Sequence, residues 1–207
     1  MNEPYTAYYY AMSYIIAGLG NPGEEYTYTR HNAGRIILDA VRKKFECDEW
    51  EKDKKLNALV SEGKIGKQKV LLVEPEGFMN KSGTSLKPLV TSVKKANSLI
   101  VIYDDLDLPI GTMKISFNKS SGGHRGVESI IKNIKTLEFA RIRIGISPAS
   151  PSGKLKKPSG PSAVEKHILG EFKKPELDTL KKLAKKVGEA VEVMTNESRE
   201  KAMTLFN

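Results

Sequence analysis

Residues 18–34 read GLGNPGEEYTYTRHNAG, with a short apolar run at residues 14–17 before them and an amphipathic run from Arg35 after them. A strand-length apolar run that passes through a glycine-rich loop into a helical period is the junction on which α/β folds are built. Such junctions are also where these folds put their chemistry. Gly18, Gly20 and Gly23 have the spacing G-x-G-x-x-G, so a dinucleotide-binding turn taking NAD or FAD is the first reading to weigh. In that motif the last glycine opens a helix whose N–H groups hold a pyrophosphate. Here Pro22, and a helical period that starts only after His31, set that reading aside. The loop instead carries Tyr26, Thr29, Arg30, His31 and Asn32, more titratable and hydrogen-bonding groups than a structural turn needs.

The remaining pattern extends the α/β reading. Apolar positions Ile36, Ile37, Ala40, Val41 and Phe45 recur at helical spacing over residues 35–45. Two β runs follow at residues 58–65 and 69–74 with Gly66 between them as a turn signal, and residues 80–93 form a second helix candidate. Residues 99–103, Leu-Ile-Val-Ile-Tyr, read as a strand buried on both faces and ending on Asp104 and Asp105. A strand at 113–117, a helix at 127–134 and a strand at 140–146 complete the middle of the chain. Residues 147–163 are Pro, Ser, Gly and Lys with little to bury and read as a mobile loop. A short helical segment at 164–169 and a long helix from about Pro175 follow, the latter with Leu177, Leu180, Leu183, Ala184, Val187, Val191 and Met194 on one face. Strands interleaved with helices predict one α/β domain over residues 12–207, a three-layer sandwich with a mixed β-sheet flanked by helices. Residues 1–11 carry neither a basic nor a long apolar segment of a secretory signal and read as a disordered upstream extension or as the result of a start codon placed too early.

At 207 residues the chain suffices for one sizeable core, and no apolar run approaches the roughly 20 residues of a membrane span. Cys47 is the only cysteine, which excludes an internal disulfide and disfavours thiolate metal cages. It also points to a reducing cytoplasm. A net charge of +9, from 34 Lys and Arg against 25 acids, is equally consistent with a polyanionic partner and with a lysine-rich solvated surface.

Among groups that could do chemistry, the three histidines come first, because an imidazole near neutral pKa is the usual general base. His31 lies in the polar loop, His124 in a glycine-flanked turn, and His167 in an otherwise apolar segment where a structural role is the better reading. Asp104, at the end of the buried strand, is the carboxylate best placed to hold an imidazole, its alternative role being a cap. No G-x-S-x-G elbow occurs, and no spacing of His, Cys, Asp and Glu resembles a metal-ligand set. Asn21 and Asn80 are cap candidates on their own account.

Five ordered blocks then carry a resemblance: residues 18–34; Phe78-Met79-Asn80-Lys81-Ser82-Gly83; Asp104-Asp105-Leu106-Asp107-Leu108-Pro109 with Gly111; Gly122-Gly123-His124; and Arg141-Ile142-Arg143-Ile144-Gly145-Ile146. In that order and over nearly the whole chain they resemble the bacterial-type peptidyl-tRNA hydrolases. These enzymes cut the ester between a peptide and the 3′ ribose of tRNA. The resemblance implies His31 as catalytic base with Asp104 as its partner. It also implies a substrate cleft lined by Asn21, Tyr26, Phe78, Met79, Asn80 and His124. Lys114 and Arg143 match basic positions near the acceptor-stem phosphates, with Arg141 a weaker addition. It implies peptidyl-tRNA as partner, and we expect a cytoplasmic monomer that needs no cofactor, metal or membrane.

One position departs from the pattern. Where the family usually has Gly-Gly-His-Asn-Gly, this chain has Arg125 after His124. Arginine offers donors only, so it cannot accept from a substrate N–H as an amide oxygen can, but it can grip a phosphate or favour negative charge on the ester. Arg125 is therefore a substrate-contact candidate with a changed role. It also keeps open an alternative, an RNA-binding relative of the same fold with reduced or lost hydrolase activity.

Overall fold

The computed structural model describes Tyr9, residues 12–150 and residues 154–207. Among the described residues seven strands form one mixed sheet: β1 (Tyr14–Gly18), β2 (Glu51–Asp53), β3 (Ala58–Ile65), β4 (Gln68–Pro75), β5 (Leu99–Pro109), β6 (Met113–Phe117) and β7 (Ala140–Ser147). Their order is β2-β3-β4-β1-β5-β7-β6, with β4, β1, β5 and β7 mutually parallel and β2, β3 and β6 antiparallel to their neighbours. Helices α1 (Ala33–Lys44), α6 (Lys174–Asn196) and α7 (Arg199–Phe206) cover one face, and α2 (Ser82–Leu86), α3 (Val93–Ala96) and α4 (Arg125–Ile134) the other. A short helix, α5 (Pro161–Ile168), lies beyond β7. The expected three-layer α/β architecture is the one found.

Strand alternation decides the two cores. In β1, Ile16 joins the core beneath α1 and α6, while Ile15 and Ala17 join the one beneath α2 and α4. Each buried aliphatic side chain contributes roughly 1.5–3 kcal/mol, so both faces of the central strands are committed. The predicted face of the long helix is also the buried one: Leu180, Leu183, Ala184, Val187, Val191 and Met194 all lie in the core.

Four elements differ from the sequence reading. The helix expected over 80–93 is broken: a 3-10 turn (Met79–Lys81) leads into α2, which ends at Leu86 ahead of Pro88, and a new short helix begins at Val93 after the Ser92 cap. Pro88 has no N–H to donate to the carbonyl four residues back, which breaks the helical hydrogen-bond ladder and accounts for the stop. β5 runs well past Tyr103, because Pro109 still pairs with Ser147 across an irregular register. β2 is exposed and charged, so no apolar alternation announced it. Finally, α5 starts at Pro161, inside the segment expected to be a loop. An isolated bridge also joins Ala149 to Leu155 in that segment, while its centre, 151–153, lies outside the described residues. The first eleven residues also lie outside them, except Tyr9, which is buried and donates from its hydroxyl to Asp53 at 3.0 Å.

The topology brings the C-terminal ends of β4, β1 and β5 to one edge of the sheet, where open α/β folds place their ligands. Asn21 follows β1, residues 78–80 follow β4, and Asp104 lies in β5. α1 can approach that edge because Gly34 sits against it: a Cβ on Gly34 would come within 2.6 Å of both backbone N and O of Leu19. Among the described residues no helix is long and apolar enough to cross a membrane.

Candidate active site

At this edge lies a cleft of about 920 Å³, lined by Asn21, Tyr26, His31, residues 78–80, Asp104, residues 114–117 and 119–125, and residues of α5. All of the expected site residues line it: Asn21, Tyr26, His31, Phe78, Met79, Asn80, Asp104, Lys114, His124, Arg125 and Arg143. Arg141, Lys119 and Lys157 line it as well, and with Lys114, Arg125 and Arg143 they put six cationic side chains around one cavity.

His31 sits in a 3-10 turn (Arg30–Asn32) just ahead of α1. That turn is pinned from outside: Arg30 N–H donates to the Gly170 carbonyl at 3.0 Å, and its guanidinium pairs with Glu176 at 2.9 Å and stacks over Phe172. His31 and Asp104, 73 residues apart, are both buried and meet directly, with Nδ1 lying 3.0 Å from each carboxylate oxygen. Among the described residues His31 Nε2 has no hydrogen-bond partner. Because an ionised carboxylate only accepts, Nδ1 carries the proton and Nε2 is left as the basic nitrogen.

His124 shares the same carboxylate, its Nε2 lying 2.9 Å from Asp104 Oδ1. Its tautomer is dictated by its neighbours. As the N-cap of α4, its Nδ1 accepts the Val127 N–H at 3.2 Å, so Nε2 must carry the proton that faces Asp104. The Tyr103 ring packs edge-on against it at 4.8 Å. Asp104 therefore receives two N–H donors in a buried site. Burial alone would raise its pKa, yet the charge and hydrogen bonds of the two imidazoles hold it well below the usual carboxylate range. Burial alone would lower the pKa of His31. Asp104 outweighs that by charge and hydrogen bond, and Arg125 opposes it, leaving the His31 pKa raised above its ordinary value.

His31, Asp104 and His124 also form, among the described residues, the one cluster whose potential metal-ligand atoms lie within 4.8 Å of each other. Its spacings of 2.9–3.0 Å are those of N–H···O hydrogen bonds. A cation there would need a bare nitrogen on His124 toward Asp104, which would turn the protonated Nδ1 onto the Val127 N–H. The donor set thus fits a proton network and does not fit a metal.

Asn21 is fixed just as closely. Its side-chain oxygen accepts the Met79 N–H at 2.9 Å, which settles the orientation of the amide and leaves Nδ2 without a partner among the described residues. Asn80 and Phe78 are exposed in the cleft, Phe78 to 58%. Arg125 is the first residue of α4 and exposed. Lys114 is exposed, while Arg143 is already paired with Asp105 at 2.5 Å. Lys157 pairs with Asp107, also at 2.5 Å, tying the segment after β7 to β5. His167 bonds the Ile146 carbonyl at 3.0 Å, a structural contact. Two residues that shape the site went unassigned in the sequence, Asn32 and Arg35. Both act on the backbone of Asn21 from eleven and fourteen residues away. The only signal for Asn32 was its place in the polar loop. Arg35 had none.

Chemically, a buried carboxylate holding an imidazole whose other nitrogen faces a cleft makes a general base, and among the described residues no hydroxyl or thiol is bonded to that nitrogen. The group it can activate is a water molecule. An amide donor from Asn21 and several cations suit a reaction that develops negative charge beside a polyanion.

The family model described as peptidyl-tRNA hydrolase matches residues 15–207. The chain is 37% identical over 194 residues to the peptidyl-tRNA hydrolase of Halalkalibacterium halodurans, covering 93% of this chain and 99% of that one. It is 40% identical over 195 residues to that of Carboxydothermus hydrogenoformans, covering 94% and 98%. The crystal structure of peptidyl-tRNA hydrolase from Acinetobacter baumannii superposes with a TM-score of 0.82 at 30% identity, covering 95% of this chain and 96% of that one. The chain belongs to the peptidyl-tRNA hydrolase family.

Proposed function

We propose that this protein hydrolyses the ester bond between the peptide and the 3′ ribose of tRNA in peptidyl-tRNA, freeing both. The observation that carries the reading is the His31–Asp104 pair, joined at 3.0 Å with His31 Nε2 unbonded in the cleft. Nε2 takes a proton from a water molecule as its oxygen attacks the ester carbonyl. The imidazolium so formed is held by Asp104 through Nδ1–H. Asn21 Nδ2 donates to the oxyanion, and Arg125 adds positive charge from the α4 N-terminus. The tetrahedral intermediate then collapses, the bond to the ribose 3′ oxygen breaks, and His31 returns its proton to that oxygen. Asn80 positions the peptide, with Tyr26, Phe78, Met79 and His124 forming walls of the substrate site. Lys114 and Arg143, both lining the cleft, attract tRNA phosphates in this reading, an attraction that weakens with salt. We read it as a cytoplasmic monomer without cofactor or metal; its only cysteine, Cys47, is free, which suits a reducing compartment.

The test is to incubate the purified protein with an N-acylated aminoacyl-tRNA and follow ester cleavage beside a salt-dependent binding assay. Cleavage by the parent, lost in His31→Ala, is expected. Tight, salt-sensitive binding without cleavage would overturn the hydrolase reading in favour of an RNA-binding relative.

A further inference from the structure

Asn21 can present Nδ2 to the cleft because its other hydrogen-bonding groups are all engaged. Its N–H donates to Asn32 Oδ1 at 2.8 Å, and its carbonyl accepts from Asn32 Nδ2 at 2.9 Å and from Arg35 Nη1 at 3.1 Å. Its side-chain oxygen accepts the Met79 N–H at 2.9 Å. Asn32 is local to the turn. Arg35 reaches further.

The same guanidinium grips the end of β4. Nη2 donates to the Pro75 carbonyl at 3.3 Å and to Glu76 Oε1 at 2.5 Å, and Nε lies 3.2 Å from Glu74 Oε2. Its stem presses on the loop after β1, where a Cβ on Gly20 would come within 2.7 Å of Arg35 Cδ. The contacts close a ring. Arg35 joins the Asn21 backbone to residues 74–76; the chain then runs to Met79, whose N–H returns to the Asn21 side chain. A cation in the first turn of a helix is opposed by the macrodipole, so local helix chemistry does not explain Arg35 at this position, and the two carboxylates do.

We propose that Arg35 is a positioning residue for the reaction: by bracing the Asn21 backbone against the end of β4, it holds the Asn21 amide where the ester oxygen gains charge. The role rests on the function proposed above. Donors that stabilise an oxyanion act only when held to within about 0.5 Å, and among the described residues the stretch 19–28 around Asn21 has no strand pairing to hold it, the one bridge of this loop lying at Thr29. Removal of Arg35 leaves Glu74 buried beside Glu76 and Asp39, and a carboxyl in that setting takes up a proton rather than forcing the fold open.

Parent, Asn21→Ala, Arg35→Met and the double variant are compared for kcat and KM on an N-acylated aminoacyl-tRNA. Arg35→Met is expected to lower kcat by roughly 10-fold or more, with KM changed far less. The double variant is expected to be no slower than Asn21→Ala alone, because the effect passes through Asn21. Losses that multiply in the double variant, or a parental kcat in Arg35→Met, would overturn the role. Should Arg35→Met fail to fold, Glu76→Gln replaces it; a smaller loss of kcat, again absent in the Asn21→Ala background, is expected, and an additive or absent loss overturns the role. A parent that cleaves nothing overturns the hydrolase function as well, whereas a parent that cleaves with additive losses overturns only the role of Arg35.

Discussion

His124 donates its Nε2–H to Asp104 at 2.9 Å, so the carboxylate that orients His31 is itself oriented by a second histidine whose tautomer is set by the Val127 N–H. Asp104 must therefore accept from two donors. Asparagine at this position has one acceptor oxygen and would turn its NH2 toward one of the two N–H groups. Asp104→Asn is expected to lower kcat by roughly 10²-fold or more while leaving tRNA binding near the parent value. Single-turnover hydrolysis measured beside filter binding checks this, and a variant with parental kcat would contradict it.

His31 must be unprotonated to act as a base, and Asp104 raises its pKa above the ordinary value of 6.5. Activity should therefore fall as pH drops through a value above 6.5. Arg125 opposes His31 protonation, so replacing it with Asn lets the imidazole bind a proton more easily. The acid limb of kcat/KM is expected to move to higher pH in Arg125→Asn. A limb that stays in place, or moves down, would show that Arg125 does not act on His31.

Glu74 is the buried acid outside the reaction. Burial raises its pKa to about 7, with Glu76 and Asp39 adding to the rise and Arg35 and Arg42 opposing it. A carboxyl raised in the folded state is protonated there before it is protonated in the unfolded chain. Its favourable contribution is present below its ordinary value of 4.5 and is lost as pH rises to about 7. The loss is of the order of 3 kcal/mol at most, at about 1.4 kcal/mol per pH unit. Thermal melts of the parent should therefore fall over this window more steeply than those of Glu74→Gln. Parallel curves would refute it.

Gly34 permits the close seating of α1 on β1 and β5, its absent Cβ being replaced by backbone atoms of Leu19 and Ile102. Backbone cannot rotate away as a side chain tip can. Gly34→Ala is expected to destabilise the protein by roughly 1–3 kcal/mol, with the loss visible in denaturant unfolding. Since His31 and Asn32 lie only three and two residues before Gly34, activity should drop along with stability.

Most strands and helices of this protein were legible in the sequence because their cause is local: residues 99–103 are apolar throughout, and α6 repeats its leucines at helical spacing. Where local rules were weak or competed, the reading failed. Pro88 ended a helix whose apolar period continued beyond it, and β2 has no apolar face to announce a strand. His31 and Asp104 were legible as candidates because they fall in the polar loop and at a strand end, whereas Asn21 read as a cap on its own account and only the resemblance singled it out. What only folding decided is which groups share a proton. The His31–Asp104 bond spans 73 residues, the Asp104–His124 bond 20, and the Arg35 bridge to Glu76 41. Hydrogen bonds between such distant residues leave no period in the chain, because they depend on the parallel registry of β4, β1 and β5 rather than on spacing along the backbone.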